Sequence, residues 1–265
     1  MSMKARAAGV LREISRLERF LNGLKVIPAT SRLRSAVLLP LLSKTLTVGR
    51  AICLLVDGGF AAEAFATSRT LIEIFLTVRY ITNKDTEKRA ERYVKYHARV
   101  RVEWKKIIEE HMPLTAKGLK AIDPDVIEKA REFKSRGHWA EEGVRAKMMA
   151  VEEDTRETDK EGKGINSKFD YDALYFWTSQ YVHATVDGIG GHACGPGEIF
   201  RIRARYADEK DLGNSALFNT AVFTCKIFVH ALRCMNEVQP RALDDLFKMI
   251  RKVARADAAR SLRSV

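Results

Sequence analysis

A chain of 265 residues, 46% hydrophobic and 30% charged, is long enough to bury a substantial core and too apolar for a disordered or fibrous protein. Lysine and arginine outnumber aspartate and glutamate by 46 to 34, and the resulting charge of +12 is concentrated in residues 1–50 and 241–265, with the stretch between them close to neutral. Only six prolines and sixteen glycines punctuate long runs of Ala, Leu, Arg, Glu and Lys, a composition that argues against a sheet-rich protein and for an all-α one.

Val10, Leu11, Ile14, Leu17 and Leu21 recur at helical spacing, which predicts a first amphipathic helix ending near Asn22 and Gly23. A second helix is expected over about 32–56, stopped by Asp57, Gly58 and Gly59. Its run from Ala36 to Val56 is long enough to cross a bilayer, but Pro40, Lys44 and Arg50 interrupt it, so a core helix is expected and no membrane partner. The segment FAAEAFATSRTLIEIFLTVRYITN is apolar around most of its circumference and is expected at the centre of the bundle. Asp85 is placed to cap a long fourth helix that Pro113 ends, and Asp123 followed by Pro124 opens a fifth that runs toward Ser135.

Residues 152–168 are almost wholly polar and read as an exposed loop within one domain spanning 1–265. A helix starting at Asp170 or Tyr171 carries YFWTSQYVH and is stopped by GIGGHACGPG. In FRIRARY, Arg201, Arg203 and Arg205 alternate with Ile202, Ala204 and Tyr206, as suits a short extended segment with one basic face. Helices over about 210–238 and 241–260, hinged at Pro240, complete a bundle of seven or eight.

Two of these helices hold polar residues where apolar ones are expected. Arg69 and Glu73 stand four apart on the third helix, and Ser179 and His183 stand four apart on the YFWTSQYVH helix, so each helix presents one polar stripe. Polar groups in such surroundings need partners, and the economical arrangement faces one stripe with the other. Glu73 would then orient His183 or pair with Arg69, and Ser179 or Tyr181 would complete the hydrogen bonds. The cluster reads equally as a network that fixes helix packing and as a functional pocket.

The R-x-x-x-E helix, Arg69 to Glu73, followed by the S-x-x-x-H helix, Ser179 to His183, resembles an uncharacterised family of bacterial and phage-associated helical proteins over about residues 35–235. That resemblance implies an all-helical domain with the four residues gathered together, and no established activity. In RYVKYH, Arg92 and His97 have the R-x4-H spacing and so resemble the HEPN ribonucleases, which cut RNA without metal and usually as dimers. Such chemistry would use histidine for proton transfer at a 2′-hydroxyl and arginine for charge on the phosphate. Tyr93 stands here where that family commonly has a polar residue after its arginine.

Other chemistries find less in the chain. His192, Cys194, His230 and Cys234 could form two arms of a zinc site, but the interval between the arms is not a familiar one, and no metal or cofactor is expected. There is no G-x-S-x-G elbow, and the glycine-rich loop lacks the G-K-[ST] ending of a phosphate cradle. Cys53, Cys194, Cys225 and Cys234 show no paired spacing, which points to a reducing, cytoplasmic setting. The reading that follows is an RNA-directed helical protein of toxin or phage-defence type, a metal-independent endoribonuclease or, alternatively, a non-catalytic binding or assembly module. RNA or another nucleic acid is the expected partner, with a homodimer as a further possibility; Arg201, Arg203, Arg205, Arg251 and Lys252 are expected to contact phosphate.

Overall fold

Ala7, Val10, Ile14 and Leu17 lie three and four residues apart along α1, Met3–Gly23, and are all buried, so a single apolar stripe docks this helix on the rest of the protein. The structure is a computed structural model that describes residues 2–24, 32–112, 121–133, 175–182, 193–194, 201–202 and 209–235, together with Arg241, Asp244, Asp245 and Lys248. Six further helices follow among these residues: α2, Arg32–Asp57; α3, Ala61–Asn83; α4, Thr86–His111; α5, Pro124–Arg131; α6, Phe176–Val182; and α7, Glu209–Met235. The protein is all-α. The only sheet among the described residues is a two-residue antiparallel pairing of β1, Ala193–Cys194, with β2, Arg201–Ile202.

Helix α3 is the hub, as its sequence predicts. It packs most extensively on α7 and α2 and also meets α6 and α4. Leu71, Ile72, Phe75, Val78 and Ile81 of α3 join Phe223, Ile227 and Phe228 of α7 and Leu38, Leu42 and Ile52 of α2 in one continuous core. Gly49 lets α1, α2 and α7 approach closely: a Cβ there would sit 2.9 Å from Ile14 Cδ1 and 3.2 Å from Thr220 Cγ2. Pro40 lies inside α2, where its missing N–H deprives the Ala36 carbonyl of its usual helical partner. By length and composition α2 and α7 could each cross a membrane, but more than half of each apolar window is buried inside the protein, as in the core helices of soluble proteins.

The helix ends follow sequence chemistry with one exception. The Asp123 carboxylate accepts a hydrogen bond from Asp125 N at 2.9 Å, and Pro124 fills the first helical position, where its lack of an N–H costs nothing. Asp85 precedes α4 but does not cap it through its side chain. Its backbone is left-handed, with φ at 48°, whereas a capping residue is extended so that its side chain folds back over the first turn. The start of α4 is fastened instead by Arg89, whose guanidinium donates to the Tyr80 carbonyl and lies 4.0 Å from the Tyr80 ring centroid. The expected loop over 152–168, the hinge at Pro240 and most of the last expected helix lie outside the described residues.

Candidate functional site

Helix α6 packs on α3, so the two polar stripes do belong to neighbouring helices. Arg69 and Glu73 pair on α3, with Nε 3.1 Å from Oε1. The pair straddles the edge of the protein: the Arg69 side chain is 19% exposed and that of Glu73 is 50% exposed. Across the helix interface the Arg69 Nη2 donates to the Tyr175 hydroxyl at 2.5 Å, and the guanidinium carbon lies 4.4 Å from the centroid of that ring. Arg69 is therefore held by charge, by a hydrogen bond and by a π face at once.

Tyr175 is the partner that the sequence reading passed over in favour of Tyr181. Its signal was nevertheless present, because Tyr175, Ser179 and His183 follow one another at four-residue steps. Tyr181 instead points into the apolar contact, its ring edge-on to Phe65 at 5.3 Å. Ser179 does not reach across to α3 among the described contacts; its hydroxyl donates to the Tyr175 carbonyl one turn back, at 2.5 Å. Thr178 donates to the same carbonyl at 3.1 Å. Back-bonding of this kind satisfies a hydroxyl within its own helix, which explains how an apolar helix tolerates these residues. His183 lies outside the described residues.

The next two residues of α6 change the character of the site. Phe176 and Trp177 are 56% and 51% exposed, with ring centroids 6.0 Å apart in an edge-to-face arrangement. Following Tyr175 at successive steps of about 100°, these two rings form an exposed aromatic surface on the short helix that holds Arg69 through Tyr175.

Arg92 and His97 sit on α4, and the helix does not bring them together. Five residues separate their directions by roughly 140°. The Arg92 guanidinium pairs with Glu132 at 3.0 Å and lies over the Phe133 ring at 4.8 Å, so it clamps the end of α5 to α4. His97 is exposed. Among the expected phosphate contacts, Arg201 is placed in β2 by its backbone alone, while Arg203, Arg205, Arg251 and Lys252 lie outside the described residues.

A second polar seam, between α3 and α7, was not expected. Asn219 Nδ2 donates to Ser68 Oγ at 3.4 Å, and further along Arg79 Nη1 lies 3.1 Å from His230 Nδ1. A guanidinium can only donate, so Nδ1 accepts and the neutral ring carries its proton on Nε2. Between these two contacts Phe75 packs on Phe223, with the Lys226 ammonium 5.1 and 5.3 Å from the two ring centroids. Burial, and then the Arg79, Arg233 and Lys226 charges, push the His230 pKa down to about 3. The imidazole that the sequence offered as one zinc arm thus has its Nδ1 engaged by arginine. Burial also raises the Cys234 thiol, and no group of three or more His, Cys, Asp and Glu able to hold a metal occurs among the described residues. His192 lies outside them, as does the Cys194 side chain.

A family model described as a family of unknown function, DUF5677, matches residues 35–196, and the chain belongs to that family. The match takes in α2 to α6, and with them Arg69, Glu73, Tyr175, Ser179 and His183, and it ends before α7 rather than near residue 235 as expected from the two motifs. No curated protein and no solved structure matches the chain.

Proposed function

Because this family carries no assigned activity, the functional reading comes from the chain's own side chains, and we propose that the protein is an RNA-directed helical protein of toxin or phage-defence type. One observation carries the reading: the Arg69 guanidinium lies 4.4 Å from the Tyr175 ring at the edge of the protein, and the two residues that follow Tyr175, Phe176 and Trp177, expose their rings. Unpaired RNA bases are recognised by stacking on aromatic rings and guanidinium planes, and its phosphates by arginine. The net charge of +12 adds a general attraction for polyanions.

The activity we assign is metal-independent cleavage. His183, the next four-residue step in the sequence after Tyr175 and Ser179, would take the proton from a 2′-hydroxyl, whose oxygen would attack phosphorus and displace the 5′-oxygen, leaving a 2′,3′-cyclic phosphate and a 5′-hydroxyl that takes its proton from water. Arg69, positioned by Glu73, would offset the charge that builds on the phosphate, and Ser179 would help to hold the stripe. The protein would act in the cytoplasm, as a homodimer if it follows the HEPN pattern. Incubating labelled RNA with the purified protein in EDTA tests this. Cleavage that His183→Ala abolishes while the helical circular dichroism persists is the expected result, and intact RNA at every concentration would refute it.

The competing reading, a non-catalytic binding module, draws on two contacts: the Ser179 hydroxyl bonded within its own helix, and Arg92 engaged by Glu132 and Phe133. It predicts RNA binding that Arg69→Ala weakens, with no cleavage.

A further inference from the structure

Helix α1 turns a basic face to solvent, and a segment that carries Arg241 and Lys248 is fastened beside it. Lys4, Arg12 and Arg19 are all exposed, and at 100° per residue they fall within about 80° of arc along roughly 22 Å of helix axis. The small residues Ala8 and Ser15 lie between them on the same face. Both acidic residues of α1 are occupied: Glu13 is buried and bonded to Arg16 at 2.8 Å, with Arg12 Nε 3.5 Å away, and Glu18 pairs with Arg50 at 2.5 Å. Arg16, at the margin of the face, holds Asp245 at 2.6 Å. That contact raises the Arg16 pKa and lowers that of Asp245, each chiefly through their shared hydrogen bond. It also places the helical positions Arg241 and Lys248, both exposed, close to α1; the acidic residues among them are exposed Asp244 and Asp245 itself, whose Oδ1 lies 3.3 Å from Lys248 Nζ at the solvent edge.

We infer that α1 and the segment around Asp245 form one composite track for the phosphodiester backbone of single-stranded RNA, with Lys4, Arg12, Arg19, Arg241 and Lys248 as its cations. The two charge-rich stretches of the sequence, far apart in the chain, converge through the Arg16–Asp245 ion pair. No base readout is built into this track: its groups are flexible cations, which position a backbone and carry no sequence preference. The inference deepens the RNA-directed reading, on which it rests, by adding a backbone track to the Arg69 and Tyr175 site.

The test is fluorescence anisotropy of the full chain with a labelled 30-nucleotide RNA between 50 and 200 mM salt. Each phosphate contact on a single strand adds about 0.7 to the slope of log affinity against log salt, so Lys4→Ala/Arg12→Ala/Arg19→Ala is expected to flatten the slope by about two. Alanine is the best helix former, so the exposed helix survives the change. The matched control, Lys84→Ala/Lys88→Ala/Lys106→Ala on another exposed region, is expected to leave the slope within one unit of wild type. Asp245→Asn raises the net charge yet unfastens the segment, and is expected to weaken binding at least threefold. An unchanged slope in the α1 variant, an equal effect in the control, or tighter binding by Asp245→Asn overturns the track. If Arg69→Ala loses RNA while the α1 variant keeps it, only the track fails; if wild type binds no RNA at 50 mM salt, the RNA-directed reading fails with it.

Discussion

Replacing His230 by glutamine is expected to make the fold less sensitive to acid. In the native protein this imidazole is neutral, accepts from Arg79 at 3.1 Å and titrates near 3, whereas in the unfolded chain it titrates near its ordinary 6.5. Between those values the unfolded state binds a proton that the folded state refuses, so stability is full above pH 6.5 and falls as the pH drops toward 3. The slope is about 1.4 kcal/mol per pH unit, which makes the loss between pH 6.5 and pH 5 about 2 kcal/mol, a large part of a typical domain's margin. Glutamine keeps an oxygen that can accept from Arg79 and cannot be protonated in this range. Urea unfolding followed at 222 nm, at pH 7.5, 6.0 and 5.0, measures the effect in both proteins. The difference in slope between wild type and His230→Gln isolates this residue from the other five histidines. Equal pH dependence in the two proteins would refute the reasoning, because the imidazole would then be charged in the fold or free to reach water.

Phe223→Ala empties a fully buried site against Phe75 and is expected to cost about 3–5 kcal/mol in the same urea assay, against well under 1 kcal/mol for the exposed Lys106→Ala. Cys53 and Cys225, whose thiols burial pushes up to about 12, are expected to resist a thiol-specific disulfide reagent at pH 8 in native protein and to react at once in denaturant; fast native labelling of either would contradict their burial. Asp123→Ala removes the capping bond to Asp125 N and is expected to cost about 1 kcal/mol, with protection of the α5 amides in hydrogen exchange falling first.

Much of this architecture is legible in the sequence because helix periodicity is a local signal. The apolar circumference of residues 61–83 marks α3 as central before any contact is known, and Asp123 with Pro124 marks the start of α5 to the residue. The Arg69–Glu73 pair is equally local, a four-residue step on one helix. What escaped the reading depends on relations between helices. Arg79 looks like a surface arginine in the sequence, and only the packing of α7 on α3 turns it inward to His230. Asp85 has the right chemistry for a cap and the wrong backbone angle, which no residue type dictates. His230 and Cys234, one turn apart, suggest metal ligands until Arg79 is seen at the imidazole. Asp245 and Arg16 are more than two hundred residues apart, and nothing in the sequence joins them.

Ultraviolet crosslinking of single-stranded RNA to the full chain, followed by mass spectrometry of the attached peptides, tests the central claim most directly. Aromatic side chains stacked on bases crosslink efficiently, so the account predicts nucleotide adducts on the peptide that carries Tyr175, Phe176 and Trp177, and their loss in Arg69→Ala. Adducts confined to other peptides, or none at low salt, would contradict it.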